Sequence, residues 1–281
     1  MDNMHASPDT ATAAAFSSSW NNLPPGSVYT LDQILDWFAP VQLEGLRGKQ
    51  VLELGCGGGS ILTHILSYGP ELAVGVELGD SVFAAERNLS YTQKTNWRII
   101  QGDLCSFESE GFDFVYCIGV LHHLKNPYEG FLSVLRNTKP GGSFHCWVYA
   151  HEGNMVVRLF VEPLRRICSN MPWWLTKYGV ALPFSALYFL YAKLLCTLPV
   201  KISEQFPLGS YSLWIGKREF RFFHHVAFDQ LVTPQTTYIK KDTIEIWLRQ
   251  TTLVDAQRSY IVLRNGNSWK FGGKTICTTL P

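Results

Sequence analysis

Ten residues, V-L-E-L-G-C-G-G-G-S at 51–60, concentrate the chemistry of this 281-residue chain. An apolar run with one acid, Glu53, breaks into Gly55-Cys56-Gly57-Gly58-Gly59 and resumes as a helical stripe of Ile61, Leu62, Ile65 and Leu66. Glycines between a buried strand and a helix let a ligand come closer to the backbone than a Cβ permits. The helix start also offers free N–H groups to a carboxylate or phosphate. A dinucleotide loop, G-x-G-x-x-G, needs its third glycine at position 60, which is Ser60. E-x-G-x-G-x-G suits instead a ligand with an amino-acid end, its ammonium drawn to Glu53 and its carboxylate to the loop amides. A dinucleotide-dependent oxidoreductase is the weaker alternative.

Two further acids close the next strand-like runs. Glu77 lies 18 residues past Gly59, where a carboxylate can accept both hydroxyls of a ribose. Asp103, in Q-G-D-L at 101–104, is placed to accept from an adenine amino group. One such acid is ordinarily a solvated strand-end charge. Three in succession beside a glycine loop outline an adenosine-bearing ligand.

The elements that must hold these residues are legible as an alternation. Runs at 51–54, 72–78, 97–101, 112–118 and 142–149 read as strands, with helices between them, including 80–90 and 127–137. Strands alternating with helices predict an α/β, doubly wound, Rossmann-like sheet. Ahead of it, Thr30 caps a helix carrying Leu31, Ile34, Leu35, Trp37 and Phe38, which Pro40 ends. After a long interruption come a helix at 241–250 and strands at 258–264 and 268–278. Asn265-Gly266-Asn267 joins these strands and signals a hairpin. The predicted organisation is a flexible N-terminal arm at 1–26, whose Phe16 and Trp20 dock on the body, a core at 27–150 and 236–281, and an inserted segment at 151–235.

In these features the chain resembles the class I S-adenosylmethionine-dependent methyltransferases, nearest the small-molecule group that includes ubiquinone and menaquinone methyltransferases. The resemblance rests on Glu53 to Gly59, Glu77, Asp103, Ile118-Gly119-Val120-Leu121-His122-His123-Leu124 and Lys139-Pro140-Gly141-Gly142, with the final helix and hairpin. It implies a seven-stranded methyltransferase sheet and S-adenosylmethionine as cofactor. It also implies cofactor-binding roles for Glu53, Gly55, Cys56, Gly57, Gly59, Glu77, Asp103, Leu104 and Ile118, and a methyl-transfer site lined by the segment after strand four. It does not extend to 1–45 or 151–235, where the acceptor would be chosen.

His122 and His123 fall in that segment. Adjacent residues of regular structure cannot both face one pocket, so one touches cofactor or acceptor while the other packs, and His123 is the first choice. A histidine near pKa 6.5 can take a proton from a hydroxyl or amine, although in-line positioning of an activated methyl supplies much of the rate unaided. Neither this pair nor His224-His225 has metal-ligand spacing, so no metal is expected.

Composition narrows the acceptor. Net charge +1 offers no phosphate-tracking surface, and the Asn/Asp-Pro-Pro-aromatic loop of base-modifying methyltransferases is absent, so nucleic acid is disfavoured. A small-molecule acceptor is expected, with a non-catalytic cofactor-fold subunit as the competing reading. Seven cysteines without a C-x-x-C pair fit a reducing cytoplasm. The first 30 residues show neither basic nor apolar signal-peptide regions. Residues 151–235 hold 15 of the 38 aromatics, and Ile167–Val200 carries only Lys177 and Lys193, with no acid. Tyr178–Ala192 is too short an apolar run to span a bilayer and has Pro183 inside it. A buried or interfacial helical lid over the acceptor is expected, with an oligomer interface as another use and a membrane surface less favoured.

Overall fold

The computed structural model describes residues 8–20 and 29–277. Seven strands form one sheet: β1 (Gln50–Leu54), β2 (Leu72–Glu77), β3 (Trp97–Gln101), β4 (Phe112–Ile118), β5 (Thr138–Tyr149), β6 (Tyr260–Arg264) and β7 (Ser268–Lys274). Their order is β3-β2-β1-β4-β5-β7-β6. The first five run parallel, while β7 inserts antiparallel between β5 and β6. The order reverses between β1 and β4, so a crevice opens at the carboxyl ends of those strands, where ligands of open α/β sheets bind. Gly55 and Gly119 stand at its two sides.

Alternation along the strands divides the core in two. Val51, Ala73, Phe114 and Tyr116 pack on α2 (Leu31–Phe38) and α3 (Ser60–Ile65) through Ile34, Phe38, Ile61 and Leu62. Leu52, Leu54, Val74, Val76, Val115 and Cys117 face the opposite layer, which includes Phe131 of α5 (Pro127–Arg136) and Trp247 of α11 (Lys241–Gln250). Thr30 starts α2 with a capping box to Gln33. Helix α4 (Ser81–Ser90) follows β2.

The predicted flexible arm is corrected in part. Pro8–Trp20 is a helix, α1, that packs on α4. Ser17 Oγ lies 2.9 Å from Ser81 Oγ, and a Cβ on Gly79 would come within 2.3 Å of that same Ser17 oxygen. An Ala/Ser/Thr-rich helix meets a glycine closely because neither side presents bulk. Phe16 touches His123 edge to face at 5.1 Å. Residues 1–7, 21–28 and 278–281 and the Trp20 side chain lie outside the described residues.

The insertion is helical: α6 (Glu162–Cys168), α7 (Leu182–Leu195), α8 (Val200–Ser203), α9 (Gly209–Ile215) and α10 (Phe220–Val232). It builds two small cores of its own, Cys168, Ala181, Phe228, Leu231 and Val232, then Ala192, Ile215 and Phe223. Pro183 does not interrupt its long helix. A π-helical stretch, Leu175–Ala181, runs directly into α7 and makes one 21-residue apolar helix. Pro183 sits where the wide turns give way to α-turns, so its missing N–H falls at the start of a new hydrogen-bond ladder.

Candidate active site

Backbone geometry explains the glycine loop before any ligand is invoked. Gly55 has φ +79°, and a Cβ there would lie 2.5 Å from Val120 Cγ2. Gly59, at φ +72°, is the residue that begins α3, and its Cβ would press on Ala85 of α4 at 3.2 Å. These two glycines let the loop nest against the segment after β4 and against α4. Gly59 is not part of the cavity wall described below, and the structure places it in packing contact with α4.

Glu77 grips the loop from the end of β2. Its Oε2 accepts from Gly57 N and its Oε1 from Gly79 N, both at 2.9 Å. Burial raises its pKa while those N–H groups pull it down. Glu53 is buried, and Oε2 accepts from Tyr116 O–H at 2.9 Å because the two residues pair across β1 and β4. Burial drives the Glu53 pKa well above the ordinary carboxylate value. Asp103 is exposed at the end of β3 and accepts from Cys105 N.

A cavity of about 770 Å³ brings most of the predicted residues together. Glu53, Gly55, Cys56, Gly57, Glu77, Asp103, Leu104, Ile118 and His123 all line it. Tyr29, Trp37 and Trp147 give it an aromatic wall, with Tyr29 edge-on to Trp37 at 4.6 Å. Helix α1 and the insertion cover it through Phe16, Tyr188, Tyr211 and Phe222, among others.

The two histidines separate. His123 Nδ1 faces the Gln235 carbonyl at 2.9 Å; a carbonyl only accepts, so Nδ1 carries the proton and Nε2 is left as an acceptor. Burial lowers the His123 pKa to about 4, against the pull of that carbonyl and with help from Arg165, so the ring is neutral. His122 is fully buried, lies off the cavity wall and, among the described residues, has no hydrogen-bond partner at either ring nitrogen. It packs between Tyr149 and His123 at 4.1 and 4.2 Å. Of the two candidate histidines, the structure thus brings His123 to the cavity and places His122 in packing.

Sequence reading did not disclose the partners that gather Arg165 into a polar cluster on the insertion side. Arg165 is almost fully buried and lines the cavity. It donates to the Gln230 carbonyl (2.6 Å), to Gln230 Oε1 (2.8 Å) and to Glu162 (2.5 Å). Gln230 in turn donates to the Tyr149 hydroxyl at 2.6 Å, and Tyr238 lies 3.4 Å from the guanidinium. Two signals existed: the i,i+3 spacing of Glu162 and Arg165, and the position of Tyr149 at a strand's carboxyl end. His225 and Asp229 form a second polar pair on the same wall at 3.2 Å.

Residues 52–146 match the family described as a methyltransferase domain. This is a class I S-adenosylmethionine-dependent methyltransferase domain. Curated relatives match about a third to two-fifths of the chain. The ubiquinone biosynthesis O-methyltransferase of Pseudomonas aeruginosa is 34% identical over 101 residues, 35% of this chain and 43% of that protein. A tRNA U34 carboxymethyltransferase of Idiomarina loihiensis is 32% identical over 118 residues, 40% of this chain and 36% of that one. The chain thus spans less than half the length of the curated relatives it matches. An O-methyltransferase family protein of Burkholderia thailandensis superposes over 87% of this chain and 56% of its own with a TM-score of 0.51 at 13% identity, a likeness of fold. S-Adenosylmethionine is the cofactor of this domain, and the cavity's donor set suits it: a glycine loop and three acids at successive strand ends.

Proposed function

We propose that the protein transfers a methyl group from S-adenosylmethionine to a small or medium, largely apolar organic acceptor held between the sheet and the insertion. The observation that carries this reading is one cavity joining the glycine loop, Glu77 and neutral His123 to the insertion's aromatic side chains. Its volume falls within the range of small-molecule sites.

Bound there, the cofactor supplies a methyl group already activated by its sulfonium. Glu77 would receive the ribose hydroxyls through the lone pairs left over from Gly57 and Gly79. Glu53 would become charged opposite the ammonium, and the amides of Gly55 to Gly57 would meet the carboxylate. Asp103 would accept from the adenine, with Leu104 and Ile118 flanking the ring. Tyr29, Trp37 and Trp147 would exclude water and hold the acceptor in line with the methyl. His123 Nε2 would take the proton released by an acceptor hydroxyl or amine. The Arg165–Gln230–Tyr149 cluster would orient an acceptor oxygen. Its reducing, cytoplasmic setting is part of this proposal and agrees with seven free thiols.

The test is isothermal titration with S-adenosylmethionine and, separately, with NAD(H). Micromolar cofactor binding, no NAD(H) binding, and release of S-adenosylhomocysteine when a panel of hydroxylated aromatic acceptors is added are expected. A wild-type protein that binds NAD(H) and not S-adenosylmethionine refutes the proposal.

A further inference from the structure

Helix α7 has two apolar faces and uses only one. Ala181, at the end of the π-helical stretch, and Ser185, Ala192 and Leu195 of α7 are buried at helical spacing, and α7 packs on α9 and α10. Leu187, Leu190 and Leu194 form a second stripe and are 70%, 66% and 62% exposed. The same 21-residue helix is only 22% buried over its most apolar window. The exposed set continues into its neighbours with Leu159, Phe160 and Ile167 before it, Trp173, Trp174 and Tyr178 at its start, and Val200 and Ile202 after it. Scattered exposed leucines are ordinary, but a run of this kind marks an interaction surface.

We propose that this outer face of the insertion docks on the surface of an anionic lipid bilayer, with α7 lying in the interfacial plane. Three observations select a bilayer over a second copy of the chain. First, charge: Ile167–Val200 contains lysines and no acid, and Arg166, Lys193, Lys201 and Lys217 are exposed around it. Of the five acids in 151–235, Glu162, Asp229 and Glu152 are tied to Arg165, His225 and Trp269, leaving Glu204 and Glu219 exposed. A two-fold dimer would set this cationic rim against itself, whereas anionic headgroups complement it. Second, residue type: Trp173, Trp174 and Tyr178, with Lys177 over the rings at 5.8 and 5.7 Å, are the amphipathic side chains that favour a membrane–water interface. Third, continuity: Phe160, Phe184 and Phe206 are exposed and also line the cavity, so the apolar wall runs outward to this face. Helix α7 lies along the bilayer and not through it, because its inward stripe is pinned to α10, which exposes Arg221 to water.

The experiment is vesicle flotation of the full chain without cofactor or acceptor, so its outcome is independent of methyl transfer. Phosphatidylcholine vesicles are compared with phosphatidylcholine–phosphatidylglycerol vesicles. Each cation near an anionic surface contributes about fivefold, so two of them make the mixed vesicles roughly twentyfold better. Replacing Leu187, Leu190 and Leu194 with Gln keeps helix formers on an unpacked face, and should leave the circular dichroism unchanged while lowering partitioning by more than about a hundredfold. Wild type absent from both floated fractions overturns the proposal. So does equal flotation on neutral and anionic vesicles, or a triple variant that still floats. A wild-type dimer that the triple variant dissociates, with no flotation, overturns it in favour of a second copy.

Discussion

Replacing Glu77 with Gln changes one oxygen for an amide nitrogen, and both sides of this carboxylate face a backbone N–H. Gly57 N and Gly79 N each stand at 2.9 Å from a different oxygen. The amide can satisfy one of them and must present a donor to the other. The variant also loses the charge that would receive the ribose hydroxyls. A hydrogen bond to a charged group is worth about 1.5–3 kcal/mol, which is roughly 10- to 150-fold in affinity. Folding stability should fall much less, because burial already raises the Glu77 pKa and a neutral amide escapes that cost. The expected result is a Kd for S-adenosylmethionine weaker by roughly 10- to 150-fold, with a stability loss below about 2 kcal/mol. Isothermal titration and urea unfolding, run on the same preparation, measure the two. A Kd within about twofold of wild type in a well-folded variant would refute the ribose role, since the lost hydrogen bond is worth more than that.

Burial lowers the pKa of both His123 and His145 to about 4. The unfolded chain, at roughly 6.5, takes up protons first, so their stabilisation is complete above about pH 6.5 and is lost as pH falls toward 4; each costs about 2 kcal/mol by pH 5, and urea unfolding that is unchanged between neutral pH and about pH 5 counts against it. Arg165→Met leaves the Glu162 carboxylate and the Gln230 oxygens without their cation, and should cost about 3–5 kcal/mol by denaturation; a loss under about 1 kcal/mol means the cluster is not ordered in solution. Gly55→Ala meets both a left-handed backbone and Val120 at 2.5 Å; it should lower stability by more than about 1 kcal/mol, and Val120→Ala should recover only the steric part, so full rescue would contradict the backbone argument.

The parts of the molecule that sequence disclosed are those where one chain segment dictates its own geometry. The strand-to-glycine-to-helix turn at 51–60, the acids at strand ends and the Asn265-Gly266 hairpin each follow from local spacing, and the structure places them accordingly. Glu77 was legible as a candidate ligand group, but its hold on the loop was not. That hold depends on Gly57 folding back over β2, a contact 20 residues away. His122 and His123 show the same limit. Spacing said that the two must diverge, and only the return of the chain at Gln235 decided that His123 is oriented from Nδ1 while His122 is enclosed by Tyr149.

The insertion is where sequence reading reached least far, and the reason is physical. Apolar periodicity reports that a helix avoids water, and it cannot say whether protein or lipid does the shielding. Residues 178–192 therefore read as a buried or interfacial helical lid with Pro183 inside it. In the structure the helix runs through Pro183, one stripe meets α9 and α10, and the other stays largely exposed. The composition that sets this chain apart is thus two quantities superposed. Aromatics facing inward line the cavity, while leucines and tryptophans facing outward give the same element a second apolar surface. If a bilayer covers that surface, an apolar acceptor can reach Phe160, Phe184 and Phe206 without crossing water. The insertion would then solve acceptor delivery and acceptor shielding with one set of helices.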